Sequence, residues 1–103
     1  MATVISIGRN MKHGAVLSTK QWEMFKGDVL HVAELAYADV VFKGEGWAKY
    51  GGITEVSYTV VLDILSMEQY GYIRKNLALF ALLYDQTSIA LTDGPTEFVE
   101  PSK

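Results

Sequence analysis

Apolar and polar positions alternate most sharply between Ile53 and Ile64. Val56, Tyr58, Val60, Leu62 and Ile64 share one parity, and Glu55, Ser57, Thr59, Val61 and Asp63 share the other. A period of two places the sets on opposite faces of a strand, so this segment reads as a half-buried strand. Two other stretches carry the helical period. Trp22, Phe25, Val29, Val32, Ala33 and Ala36 make one apolar stripe; Tyr70, Ile73, Leu77, Phe80, Ala81 and Tyr84 make a second. Each begins after a Ser-x-x-Gln spacing, Ser18 with Gln21 and Ser66 with Gln69, which predicts a capping box. Lys20, Glu23, Lys26 and Glu34 lie off the first stripe. Gly27 weakens that helix by about 1 kcal/mol relative to Ala without interrupting the stripe.

Shorter segments complete the order. Residues 3–7, Thr-Val-Ile-Ser-Ile, are rich in β-branched side chains and predict a first strand. Gly8 and a polar loop over residues 9–14 follow. A second strand is predicted over residues 38–43, ended by Gly44-Glu45-Gly46 as a bulge or turn would end it. Residues 47–52 read as a Gly-rich loop. A fourth strand covers residues 86–92, with Ile89 and Leu91 on one face and Ser88, Ala90 and Thr92 on the other. Asp93-Gly94-Pro95 signals a turn. Residues 96–99 are a candidate short edge strand, and the last three residues read as a fraying end.

The order β-α-β-β-α-β predicts an α+β fold in one domain, residues 1–103. Two helices with one apolar stripe each cover one face of a sheet. The economical solution is a ferredoxin-like sandwich: a four-stranded antiparallel sheet, order 4-1-3-2, with both helices on one face. The other face then carries Glu55, Ser57, Thr59, Ser88 and Thr92. A solvated face is the default for an antiparallel sheet; an oligomer or ligand face is the alternative. Glu55 favours the latter, because it falls on a central strand beside Gly51-Gly52, where backbone can approach a ligand closely.

Composition narrows the function classes. The chain has 103 residues, half of them hydrophobic, with twelve aromatics, nine Lys+Arg and twelve Asp+Glu, and a net charge of −3. This is a globular composition, and its acidic balance argues against non-specific nucleic-acid binding. The absence of Cys excludes disulfides, a thiol nucleophile and Cys-ligated metals, and fits a bacterial-type or viral cytoplasmic protein. The longest apolar run, Leu77 to Tyr84, is eight residues, against about 20 for a membrane span. The N-terminus does not read as a signal peptide. So much apolar surface on so small a body predicts contact with another copy of the chain.

Candidate chemistry is sparse. His13 and His31 have no partner at metal-ligand spacing, so no metal site is expected. Dinucleotide, P-loop and Gly-x-Ser-x-Gly motifs do not occur. Met11, Met24, Met67 and Trp22 read as packing residues. Arg9, Lys12 and Lys20 form a small basic cluster near the first loop that suits an anionic group such as a carboxylate. Trp47, in the Gly-rich loop, is placed to stack on a purine.

Three segments in order carry a resemblance. They are Ser6-x-x-Arg9-Asn10 after the first strand, Gly46-Trp47 through Tyr50-Gly51-Gly52-Ile53-Thr54-Glu55-x-Ser57-x-Thr59-Val60, and Ala81-x-x-Tyr84-x-Gln86-x-Ser88-Ile89-Ala90-Leu91. Together they resemble the phage-encoded S-adenosylmethionine lyases, formerly called hydrolases. The resemblance implies a ferredoxin-like core and a homotrimer with sites between subunits. It implies cleavage of S-adenosylmethionine to methylthioadenosine and homoserine lactone in the host cytoplasm, with no cofactor. Depleting the methyl donor would blunt host restriction and methylation.

In that family a Glu on the strand after the Tyr/Gly-rich loop and a Tyr within the loop are the key side chains. Glu55 matches the Glu and Tyr50 the Tyr, with Trp47 and Tyr58 as alternatives because the loop here is shorter. Arg9 and Asn10 would meet the methionyl end. Gly52 would allow close approach, and Ser57, Gln86 and Ser88 would hydrogen-bond the amino acid or the adenine. The alternative readings are a non-catalytic binder of a nucleotide-like ligand and a partner-docking protein of the same fold.

Overall fold

The computed structural model describes residues 2–63, 65–93 and 96–102, and only the backbone of Ala48, Tyr50 and Thr96. The alternation at Ile64, the turn at Gly94-Pro95 and the end at Lys103 lie outside the described residues. The elements run β1 (Thr3–Gly8), α1 (Thr19–Leu35), β2 (Val40–Tyr50), β3 (Ile53–Leu62), α2 (Met67–Leu83), β4 (Ile89–Thr92) and β5 (Thr96–Val99). They form one open antiparallel sheet of order β2-β3-β1-β4-β5. The first four strands take the predicted order, and β1 and β3 are central.

The expected four-stranded sheet is corrected to five strands, because residues 96–99 return along β4. β5 is held by α2 as well as by its ladder. Tyr70 Oη donates to Glu97 Oε1 at 3.1 Å, and Arg74 Nη2 lies 2.9 Å from Glu97 Oε2. Val99 is buried against the core, so the added strand seals the end of the hydrophobic layer.

The second strand also differs. Gly44-Glu45-Gly46 does not end it; β2 runs through to Tyr50, because ladder hydrogen bonds to β3 use backbone groups that glycine possesses. The irregularity falls earlier, between Val40 and Phe42. Trp47 is therefore a strand residue and not a loop residue. Gly51 and Gly52, at φ +55° and +84°, make the two-residue turn into β3, a conformation that favours glycine. The fourth strand is shorter than predicted, starting at Ile89.

Both helices start at complete capping boxes, at Ser18 with Gln21 and at Ser66 with Gln69. Their stripes meet Ile5, Ile7, Tyr58, Val60, Leu62, Ile89 and Leu91 in one core. Phe25 stacks on Tyr84 with ring centroids 4.4 Å apart, and Tyr84 Oη donates to Asp28 Oδ2, joining the helices. Gln69 has a second role. Its side-chain nitrogen donates to the carbonyls of Ala36 and Tyr37 at 2.9 and 3.3 Å, so the start of α2 caps the end of α1. Of the three methionines read as packing residues, Met11 packs against the core, whereas Met24 and Met67 are exposed. Both project from helix positions off the buried stripes.

Candidate active site on the uncovered sheet face

Side chains of opposite parity to the core emerge on the face that neither helix covers. The register sets them in rows. Ser6 lies between Thr59 and Ala90, whose neighbour is Phe98; Gly8 lies beside Ser57, whose neighbour is Gly46. The hydroxyls of Ser6 and Thr59 are 3.4 Å apart. Most of these side chains are small, so the middle of the face is shallow.

At one end the face deepens into a cavity of about 550 Å³. Its walls come from the loop after β1, the start of β3 and the segment before β4. The connections are pinned together by backbone hydrogen bonds. Arg9 N–H donates to Val56 O at 2.9 Å, Met11 N–H to Ala15 O at 2.7 Å, and Lys12 N–H to Asp85 O at 2.8 Å. The last bond draws the first loop against the α2–β4 connection, so that Asn10 and Lys12 share the cavity with Gln86 and Ser88.

Glu55 stands at the centre of this arrangement. One carboxylate oxygen accepts from the backbone N–H of Asn10 at 3.3 Å. The carboxyl group lies across Gly8: a Cβ on that residue would come 2.5 Å from Glu55 Cδ. Only a residue without a side chain leaves this space free. Gly8 is thus a member of the site that sequence reading passed over as a strand end. Its signal was a glycine closing a β-branched strand.

The predicted site residues divide. Asn10, Glu55, Ser57, Gln86 and Ser88 line the cavity together. Gln86 is buried, and its side-chain nitrogen donates to Tyr84 O at 3.1 Å. Arg9 does not join them. Its Nε donates to Leu17 O at 2.8 Å and Nη2 reaches Thr19 Oγ1 at 3.5 Å, so the guanidinium braces the entry to α1. Gly52 sits in the exposed β2–β3 turn and is not part of the cavity lining.

Trp47 pairs with Val56 and so has the parity of the helix-covered face, where it is 71% exposed beyond the helices. Tyr58, the other alternative for the aromatic position, is buried on the same face. Burial raises its phenol above the ordinary range, and Lys26 Nζ lies 5.6 Å from its ring centre. Tyr50 ends β2 opposite Ile53, and its side chain lies outside the described part. Thr87, Phe98 and Lys12 also line the cavity. The first two were not singled out in the sequence, because loop and edge positions carry no periodic signal.

A charged cluster shared by α1 and β2 faces the other way. Trp22 Nε1 donates to Glu45 Oε1 at 2.5 Å, and Lys26 Nζ lies 3.3 Å from the same oxygen. The Trp22 hydrogen bond, helped by Lys26, holds the Glu45 carboxyl below the ordinary range despite partial desolvation. This cluster ties the β2–β3 hairpin to α1. Among the described residues no group of three His, Asp or Glu side chains is placed to hold a metal ion, and no helix is long and apolar enough to cross a membrane.

These features define an open-sheet α+β protein with a polar cleft at one end of its uncovered face. No family model and no curated protein matches the chain. Its fold is similar to that of solved phage proteins. One is a phage SAM lyase in complex with S-methyl-5'-thioadenosine, at a TM-score of 0.57 and 16% identity, over 96% of this chain and 88% of that one. Another is a phage SAM lyase in the apo state, at a TM-score of 0.56 and 16% identity, over 99% and 82% of the two chains.

Proposed function

We propose that this chain is an S-adenosylmethionine lyase with a ferredoxin-like core, releasing S-methyl-5'-thioadenosine and homoserine lactone. The observation that carries this reading is the Glu55 carboxylate held over Gly8 in the open-face cavity, within a fold shared with phage SAM lyases. By the sequence resemblance, Glu55 matches the family's Glu.

The reaction asks for shape more than for reactive groups. A carboxylate oxygen of the substrate bonds to its own γ-carbon. The γ-carbon–sulfur bond breaks, and its electron pair stays on sulfur as a neutral thioether. No proton moves. The sulfonium and the carboxylate both lose charge on the way, so replacing bulk water by a fixed cavity favours the transition state. Folding the methionyl chain into an attack geometry adds to this. A protein carboxylate beside the sulfonium would stabilise the reactant and slow the step. Glu55 therefore acts on the ammonium group or the ribose hydroxyls. Asn10, Ser57, Gln86 and Ser88 supply neutral hydrogen-bonding groups around it. By the sequence resemblance, the family's Tyr position falls to Tyr50, at the end of β2.

The shallow, small-residue face fits packing against further copies, and in this reading the working form is a homotrimer with its sites between subunits. The biological role that follows is phage counter-defence in the host cytoplasm through loss of the methyl donor. Incubation with S-adenosylmethionine, with both products followed by chromatography, tests the activity. Release of S-methyl-5'-thioadenosine at a rate proportional to protein supports it. Binding without release would make the chain a ligand-binding protein of the same fold, and absence of binding would favour a docking protein.

A further inference from the structure

Of the residues lining the cavity, two carry charge, and they are of opposite sign: Glu55 and Lys12. The basic cluster seen in the sequence does not persist as a unit. Arg9 is engaged with Leu17 and Thr19 at the entry to α1, and Lys20 is exposed on α1. Lys12 alone of the three lies at the cavity.

Its backbone is fixed there by the 2.8 Å bond from its N–H to Asp85 O. Asp85 itself adopts φ +52°, a left-handed conformation that Asp tolerates better than most residues. The Lys12 ammonium is only loosely engaged. Asp85 Oδ1 is 4.0 Å away, and both side chains are nearly half exposed, at 41% and 47%. Such a pair contributes little and exchanges partners easily.

We propose that the cavity is a zwitterion site, in which Lys12 takes the α-carboxylate of an aminoacyl ligand while Glu55 takes its ammonium group. This deepens the lyase reading and rests on it for the identity of the ligand. A bipolar lining suits a group carrying both charges and discriminates against one that has lost either. Lactone formation consumes the carboxylate and leaves the ammonium. Lys12 therefore holds the substrate and releases the product, while Glu55 contacts both. The ammonium of Lys12 also opposes attack, because it stabilises the nucleophile in the ground state. Its contribution accordingly appears in KM and not as a gain in kcat.

The test is calorimetric titration of wild type, Lys12→Met and Lys12→Arg with two ligands. S-Adenosylhomocysteine carries the zwitterion and a neutral sulfur that leaves poorly; S-methyl-5'-thioadenosine lacks the zwitterion. Lys12→Met is expected to weaken the first on the order of tenfold, one charge-assisted contact, and the second less than about twofold. Lys12→Arg is expected to restore most of the loss. Equal weakening of both ligands, or of neither, overturns the assignment. Wild type that shows the ligand difference but releases no S-methyl-5'-thioadenosine from S-adenosylmethionine overturns the lyase reading and leaves the zwitterion site standing. Wild type that cleaves, with a KM unmoved by Lys12→Met, does the reverse. Wild type that binds neither ligand overturns both.

Discussion

The Glu55 carboxyl group occupies the space where a side chain on Gly8 would begin, 2.5 Å from the position of its Cβ. The atoms in contact are the far end of a flexible side chain. Gly8→Ala is therefore expected to turn Glu55 out of place and leave the sheet intact. Stability should change by less than about 1 kcal/mol, below the usual overpacking penalty. Release of S-methyl-5'-thioadenosine should fall at least about tenfold, since small misplacements at a reacting centre are costly. Thermal melting and a product assay on the same preparation check both halves.

Glu55→Gln keeps size and shape and removes the charge. Turnover is expected to drop on the order of 100-fold, the range for losing one electrostatic contact at a reacting centre. The fold should be retained, because Asn10 N–H still meets an amide oxygen. Combined with Gly8→Ala, the second change should add little, since both act through the same carboxylate. Turnover numbers for the two single variants and the double variant decide this.

Gln69 and Gln21 hold equivalent positions in their capping boxes, yet only Gln69 also reaches the carbonyls of the other helix. Gln69→Ala is expected to cost about 2 kcal/mol and Gln21→Ala about 1 kcal/mol, the difference being the contacts to Ala36 and Tyr37. Urea unfolding midpoints of the two variants give the comparison directly.

Tyr37 follows α1 at φ +57° and is 91% exposed. A residue with a Cβ costs roughly 1 kcal/mol in this conformation, and glycine removes that cost at some expense in unfolded-state entropy. Tyr37→Gly is expected to stabilise the protein by about 0.5 kcal/mol and to raise Tm by roughly 2–4 °C. A lowered Tm would show that the tyrosine ring makes a compensating contact.

Glu45 has its pKa lowered, first by the hydrogen bond from Trp22 and then by Lys26. A depressed carboxyl in the folded state stabilises the protein above its unfolded-state pKa, and the contribution is lost as pH falls through the folded value. Glu45→Gln keeps an acceptor for Trp22 and removes the titration. Its stability should therefore decline less steeply than wild type below about pH 4.5, where an unperturbed glutamate is already about half protonated. Denaturation midpoints between about pH 3 and 6, followed by tryptophan fluorescence, measure the two slopes.

The order of the first four strands was legible because β3 alternates over ten residues and both helices announce themselves with Ser-x-x-Gln and a continuous stripe. What was misread lies where side chains are silent. Gly44 and Gly46 looked like a break, but they pair with Thr59 and Ser57 through backbone alone. That same misreading put Trp47 in a loop. The site was legible in part. Parity placed Glu55, Ser57 and Ser88 on the uncovered face, and the cavity gathers them with Asn10 and Gln86. Parity says nothing of loop side chains, so the turning of Arg9 toward Leu17 was not readable, nor was the position of Lys12 beside Asp85.

β1 lies in the middle of the sheet, with Val4 opposite both Val61 and Thr92. During synthesis β1 is made before both of its partners, β3 (Ile53–Leu62) and β4 (Ile89–Thr92). The β2–β3 hairpin can close locally in the meantime, whereas inserting β1 requires two long loops to close. One edge of β1 thus remains an unpaired apolar edge until β4 emerges, and that interval is when the protein is most exposed to aggregation.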